Sequence, residues 1–96
     1  MKMQSIEQKL KKYFELTSKA MKKVKIPDSL SPKDKKSADD FLDLSQRYYE
    51  DAKYFEKKGD LVNAYGAVVY SHAFLDAGAR LGLFDVGKDN ELFMVD

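Results

Sequence analysis

Cysteine is absent from this 96-residue chain, and with it go disulfide frameworks, thiol nucleophiles and the usual zinc sites. Tryptophan is also missing, histidine occurs once, and there are only two prolines and five glycines, so long irregular segments are not expected. No stretch approaches 18 uninterrupted apolar residues, and the basic, amphipathic N-terminus lacks the central apolar block of a secretory signal. The expectation is a single domain over residues 1–96, without a membrane span, in the reducing cytoplasm.

What is present is charge, unevenly spread. Residues 1–36 hold eleven lysines against four acids, about +7, whereas residues 37–96 come to about −6. The overall charge of +1 therefore conceals a strong dipole.

Hydrophobic spacing predicts an all-α fold: a three-helix bundle made of helix 1, a long linker and an antiparallel helix 2/helix 3 hairpin, followed by a short C-terminal tail. The first helix opens with a capping box, Ser5 and Gln8, and sets Ile6, Leu10, Tyr13, Phe14, Thr17, Met21 and Val24 on one face. "IPDSLSPKDKK" carries both prolines and no periodicity, so it reads as an exposed connection of about 12 residues. The second helix can start at Ser31 with Pro32, or at Ser37 with Asp40. Its buried face is predicted at Phe41, Leu44, Tyr48, Ala52 and Phe55, widened by Ala38, Ser45 and Tyr49. "KKGD" then supplies C-terminal cations, a left-handed cap at Gly59 and a new N-cap at Asp60.

The third helix, from Leu61 to about Leu81, is apolar on two sides. Leu61, Tyr65, Val68, His72, Leu75 and Ala79 form one seam; Ala67, Tyr70, Phe74, Ala77 and Leu81 form a second, about 150° away. Two companion helices cover one broad arc, which leaves the second seam for the tail, with its apolar run from Leu92 to Val95, or for another polypeptide. Gly66 and Gly78 read as packing devices that let neighbouring backbones approach. The hairpin partly matches a tetratricopeptide unit at Tyr48, Ala52, Phe55 and Ala64, but Asp51 and Asp76 replace its usual leucine and proline, and a single copy could not bury its faces.

The run Tyr48-x-x-Asp51-Ala52-x-x-Phe55, then Gly59-Asp60, Ala64, Tyr70, His72 and "LDAGARLGL", resembles an archaeal family of small uncharacterised three-helix-bundle proteins. Where that family leads one to expect glycine and tryptophan after the histidine, this chain has Ala73 and Phe74. The resemblance implies the fold and supplies no activity.

His72, Asp76 and Arg80 are spaced so that each can meet the next along the helix. They are read, with Tyr48 or Tyr49 and with Asp51 from helix 2, as a buried polar network rather than a catalytic group, since buried polar atoms need partners. A general-base role for His72 oriented by Asp76 is the competing reading, while Ser71 points about 100° away from the imidazole and makes a poor nucleophile. One histidine and no cysteine argue against metal held by His72, Asp76 and Asp51; "DVGKDNE" lacks calcium-loop spacing, and no histidine follows Arg47 or Arg80 at the distance that small helical nucleases use. No enzyme activity, cofactor or metal is expected.

Two partner classes remain. The second seam favours a protein partner or a homodimer. Lys9, Lys12, Lys19 and Lys23 along helix 1 offer an alternative, a face for nucleic acid or an anionic surface. There is no arginine among them, no aromatic residue is interleaved and Glu15 interrupts the row, so a solvated face complementing the acidic second part is the simpler account.

Overall fold

The computed structural model describes residues 5–93 and contains three helices, α1 (Ile6–Lys23), α2 (Pro32–Lys57) and α3 (Leu61–Arg80). The chain is an all-α three-helix bundle, and α3 is its centre, with α1 and α2 each lying against it. Residues 1–4 and 94–96, including the Val95 end of the predicted apolar run, lie outside the described part.

Local chemistry sets each helix boundary. The Ser5 hydroxyl accepts from the Gln8 backbone N–H at 3.2 Å while the Gln8 side chain accepts from Ser5 N–H at 3.0 Å, closing the capping box. Of the two possible starts for α2, Ser31 is the cap, accepting from Asp34 N–H at 3.1 Å with Pro32 in the first turn. At its other end Gly59 adopts φ +78°, the Asp60 N–H reaches Phe55 C=O at 2.9 Å and the Gly59 N–H reaches Glu56 C=O at 3.0 Å. This Schellman pair hands the chain directly to Asp60, which caps α3 by accepting from Asn63 N–H. The same device ends α3: Gly82 has φ +76° and Leu83 N–H bonds to Gly78 C=O at 2.9 Å.

The α2/α3 contact is built from small residues, not from the aromatic stripe that spacing suggested. Ala38, Ser45 and Ala52, seven residues apart, are buried along α2, and Ala64, Ser71 and Gly78, at the same interval, are buried along α3. The register that sets Ser45 against Ser71 puts Ala52 level with Ala64 and Ala38 level with Gly78. At the middle level each serine reaches the opposing backbone: Ser45 Oγ donates to Ser71 C=O at 2.9 Å and Ser71 Oγ to Ser45 C=O at 2.6 Å. Phe41, Leu44, Tyr48 and Phe55 are consequently half-buried on the flanks. One aromatic flank joins Phe41, Tyr48, Tyr70 and Phe74; the other pairs Tyr13 with Tyr65 at 5.5 Å and Phe14 with Tyr49 at 5.4 Å, tying α1 to both partners.

Two apolar clusters sit at opposite ends of the bundle. Leu10, Ala52, Ala64 and Val68 form one beside the α2/α3 turn; Ala20, Ala38, Leu75, Leu83, Phe84, Val86 and Phe93 form the other. The second cluster shows where the tail goes. It docks on the inner side of the bundle, not on the second seam of α3, and Ile26 and Leu30 of the connection pack there too. That connection is shorter than expected, because residues 32–36 already belong to α2, and it is pinned by a two-way backbone bridge between Lys25 and Asp85. Burying Leu83, Phe84, Val86 and Phe93 is worth roughly 1.5–3 kcal/mol for each side chain, so the tail is an integral part of the core.

The two helix glycines separate cleanly. At Gly78 an added Cβ would lie 2.2 Å from the Phe84 ring, which therefore packs on bare α3 backbone; at Gly66 nothing lies within 4 Å, so this position is not a packing device inside the molecule. Gly78→Ala is expected to lower stability by about 1–3 kcal/mol through overpacking, and Gly66→Ala to raise it by up to about 1 kcal/mol through helix propensity, both measured by urea denaturation.

Candidate functional site

A layer of buried polar side chains, Thr17, Ser45, Ser71 and His72, divides the two apolar clusters. His72, only 7% exposed, is held from two directions: Nδ1 lies 3.0 Å from Thr17 Oγ1 on α1 and Nε2 lies 2.8 Å from the Leu92 carbonyl in the tail. A carbonyl can only accept, so Nε2 carries the proton and, in the neutral ring, Nδ1 accepts from the Thr17 hydroxyl. Both ring nitrogens of a neutral imidazole are thereby satisfied. Phe93 stacks beside the ring, with centroids 6.5 Å apart. Among the described residues no buried side-chain nitrogen or oxygen lacks a hydrogen-bond partner.

The hydrogen bonds of the imidazole go to groups outside the network read in the sequence. Asp76 is near, with Oδ1 3.6 Å from His72 Nε2, but that nitrogen is directed to Leu92. Arg80 lies on the exposed side of α3 and Asp51 is exposed on α2. Tyr48 turns to the aromatic flank instead, with its ring 4.7 Å from that of Tyr70 and 5.9 Å from that of Phe74, while Tyr49 goes to Phe14. The partners that sequence reasoning missed are Thr17, which it had placed on the core face of α1, and a tail carbonyl, which no side-chain pattern can signal. The Ser45/Ser71 pair did leave a signal, the seven-residue interval of small residues on both helices.

The tail is brought to His72 by its own turns. Asp85 Oδ1 accepts from Gly87 N–H at 3.0 Å, and Asp89 Oδ1 accepts from Glu91 N–H at 3.1 Å and from Leu92 N–H at 3.0 Å. Asp89 Oδ2 meets Lys23 Nζ of α1 at 2.6 Å. The Lys23 ammonium, with the Leu92 and Glu91 amides, holds the Asp89 carboxyl below its ordinary value of 3.8.

The second seam of α3 divides between the interior and solvent. Ala67 and Phe74 are half-buried, Phe74 beneath Phe41 and Tyr48. Tyr70, Ala77 and Leu81 face outward, Tyr70 at 55% and Leu81 at 67% exposure, joined by Val62 at 73%, which the sequence reading did not include. On α1, Lys9, Lys12, Lys19 and Lys23 are all exposed. Among the described residues no three His, Asp or Glu side chains are grouped to hold a metal ion, and no helix is long and apolar enough to cross a membrane.

A small helical bundle closed by its own tail, with one polar layer in its core, is the class that these features define. The chain belongs to the DUF357 family, proteins of unknown function, whose model matches residues 12–84. No curated protein and no solved structure matches it.

His72→Ala strands the Leu92 carbonyl and the Thr17 hydroxyl, and is expected to cost about 1–3 kcal/mol and to speed proteolysis of the tail. A fully stable variant with an unaltered tail would assign the imidazole some other role. Because the Asp89 carboxyl is lowered by folding, its contribution is present above the unfolded value and fades as pH falls through the lowered one. The stability difference between the wild type and Asp89→Asn should accordingly be constant above about pH 5 and shrink in acid, as followed by denaturation at each pH.

Proposed function

We propose that this protein is a non-enzymatic interaction module of the archaeal cytoplasm, working through the outer arc of α3. One observation carries the reading: α3 is apolar around most of its circumference, and Val62, Tyr70 and Leu81 stand 73, 55 and 67% exposed along one side of it. At 100° per residue, Val62, Gly66, Tyr70, Ala73, Ala77 and Leu81 fall within an arc of about 100°. Single exposed apolar residues are ordinary, but a set aligned along a 20-residue helix, with Asn63 and Arg80 near its ends, is the kind of surface that marks contacts. The binding of both His72 nitrogens inside the core fits a structural rather than a catalytic imidazole. The absence of cysteine suits a reducing compartment.

The alternative, nucleic-acid binding by the α1 lysines, has less support, since Lys23 is engaged by Asp89. It requires affinity that falls steeply with salt.

Carbene footprinting tests the interaction reading. Peptides carrying Val62, Tyr70 and Leu81 should be labelled several-fold less in concentrated native extract than in dilute purified protein, with the α1 lysine face unchanged. Equal labelling of the outer arc in both conditions would overturn it.

A further inference from the structure

The tail is fastened in two different ways. As far as Asp85 the fastening is main chain: the Leu83 and Phe84 N–H groups bond to Gly78 C=O at 2.9 and 3.2 Å, and Lys25 and Asp85 exchange two backbone bonds at 3.3 and 2.7 Å. Beyond Asp85, among the described residues, no backbone group bonds to another backbone group. Residues 87–93 are instead held by side chains: Lys23 on Asp89, His72 on the Leu92 carbonyl, and the buried ring of Phe93. We propose that residues 87–93 are a strap that swings out about Gly87 while the helices and the Lys25–Asp85 bridge stay folded, and that its closure keeps His72 out of reach of solutes.

The balance of contacts favours a separate opening. Holding seven residues in one conformation has an entropic cost at every residue. Against it stand three attachments, and the outermost is an ion pair whose lysine is 49% exposed, a contact that water and salt weaken. Releasing the strap strands no polar atom, since the Leu92 carbonyl and the His72 Nε2–H both pass to water, while Nδ1 keeps its bond to Thr17 on α1. The Asp89 turn, which accepts the Glu91 and Leu92 N–H groups, lies wholly within the strap and travels with it. The burial of Phe93 is the principal loss. Lifting the earlier part of the tail would in addition break four backbone bonds and draw Phe84 off the bare backbone of Gly78.

Gly87 is the joint. Its φ of +64° is one that residues with a side chain rarely adopt, and nothing lies within 4 Å of where a Cβ would stand, so the chain can pivot there without meeting a neighbour. In the buried polar layer, Ser45 and Ser71 are closed between two helices, whereas His72 is bonded to the strap. The cover of the imidazole can therefore be lifted without parting α2 from α3.

Histidine occurs once, which makes it a reporter. Diethylpyrocarbonate acylates an imidazole nitrogen that it can reach, and mass spectrometry of the peptide carrying His72 gives the rate. In the wild type that rate should be about a hundredfold below that of N-acetylhistidine, yet about tenfold or more above what the global unfolding constant from urea denaturation allows. It should change by less than about twofold across sub-denaturing urea, because opening the strap exposes little surface. Phe93→Ala should raise it about tenfold or more with helical circular dichroism retained, and Lys23→Gln, the milder change, about two- to fourfold. The Lys25 and Asp85 amides should stay about tenfold more protected from hydrogen exchange than the His72 rate implies. A His72 rate that matches global unfolding and climbs with urea in step overturns the strap, as does a wild-type rate equal to that of N-acetylhistidine or one that neither variant alters. Exchange of the Lys25 and Asp85 amides in step with His72 modification overturns it as well, since the whole tail would then move as one.

Discussion

The close approach of α2 and α3 is the constraint from which the rest of the architecture follows. Serine side chains are short, and for Ser45 and Ser71 each to reach the other helix's carbonyl, at 2.9 and 2.6 Å, the backbones must nearly touch. Alanine and glycine at the levels above and below permit it. With the seam so narrow, large side chains have no room within it. They are driven to both flanks, where Phe14, Tyr13, Tyr49 and Tyr65 bind α1 on one side and Phe41, Tyr48, Tyr70 and Phe74 form a surface on the other.

The same crowding explains the role of the tail. Gly78 belongs to the small-residue row, and its bare backbone also receives the Phe84 ring immediately after the helix ends. Gly82 turns the chain back, the Lys25–Asp85 bridge holds it, and Asp89 with Lys23 delivers Leu92 and Phe93 to His72. His72 therefore joins three parts of the chain: α1 through Thr17, its own helix, and the tail through a carbonyl. Polar contacts of this kind contribute about 1 kcal/mol of net stability each. They are costly to break and they fix the register at which the apolar clusters on either side can form.

Once α1, α2 and the tail have taken their places, every strongly buried arc of α3 is used, and the outer arc is left without a companion from the described chain. Val62, Tyr70 and Leu81 stand exposed there among small residues. The polar residues on that arc, Asn63, Asp76 and Arg80, lie toward its ends and edge and leave its middle apolar. The polar atoms of the core are thus satisfied among the described residues, and the exposed apolar side chains of α3 lie on its outer side.

Helix number, order and most caps were legible in the sequence because they depend on neighbours in the chain: Ser5 with Gln8 and Gly59 with Asp60, while Ser31 and Ser37 both remained possible starts for α2 until the structure chose Ser31. Periodicity also identified α3 as apolar on two sides, and a family resemblance in the Tyr48–Phe55 run pointed to the bundle. Tertiary structure alone decided that small residues, not aromatic ones, would form the α2/α3 seam, since hydrophobic scales reward bulk while close helix packing rewards its absence. It also decided the partners of His72, because one is a backbone carbonyl that every residue possesses, and it sent the tail inward, where Gly78 and the ends of α1 and α2 leave a space that only folding creates.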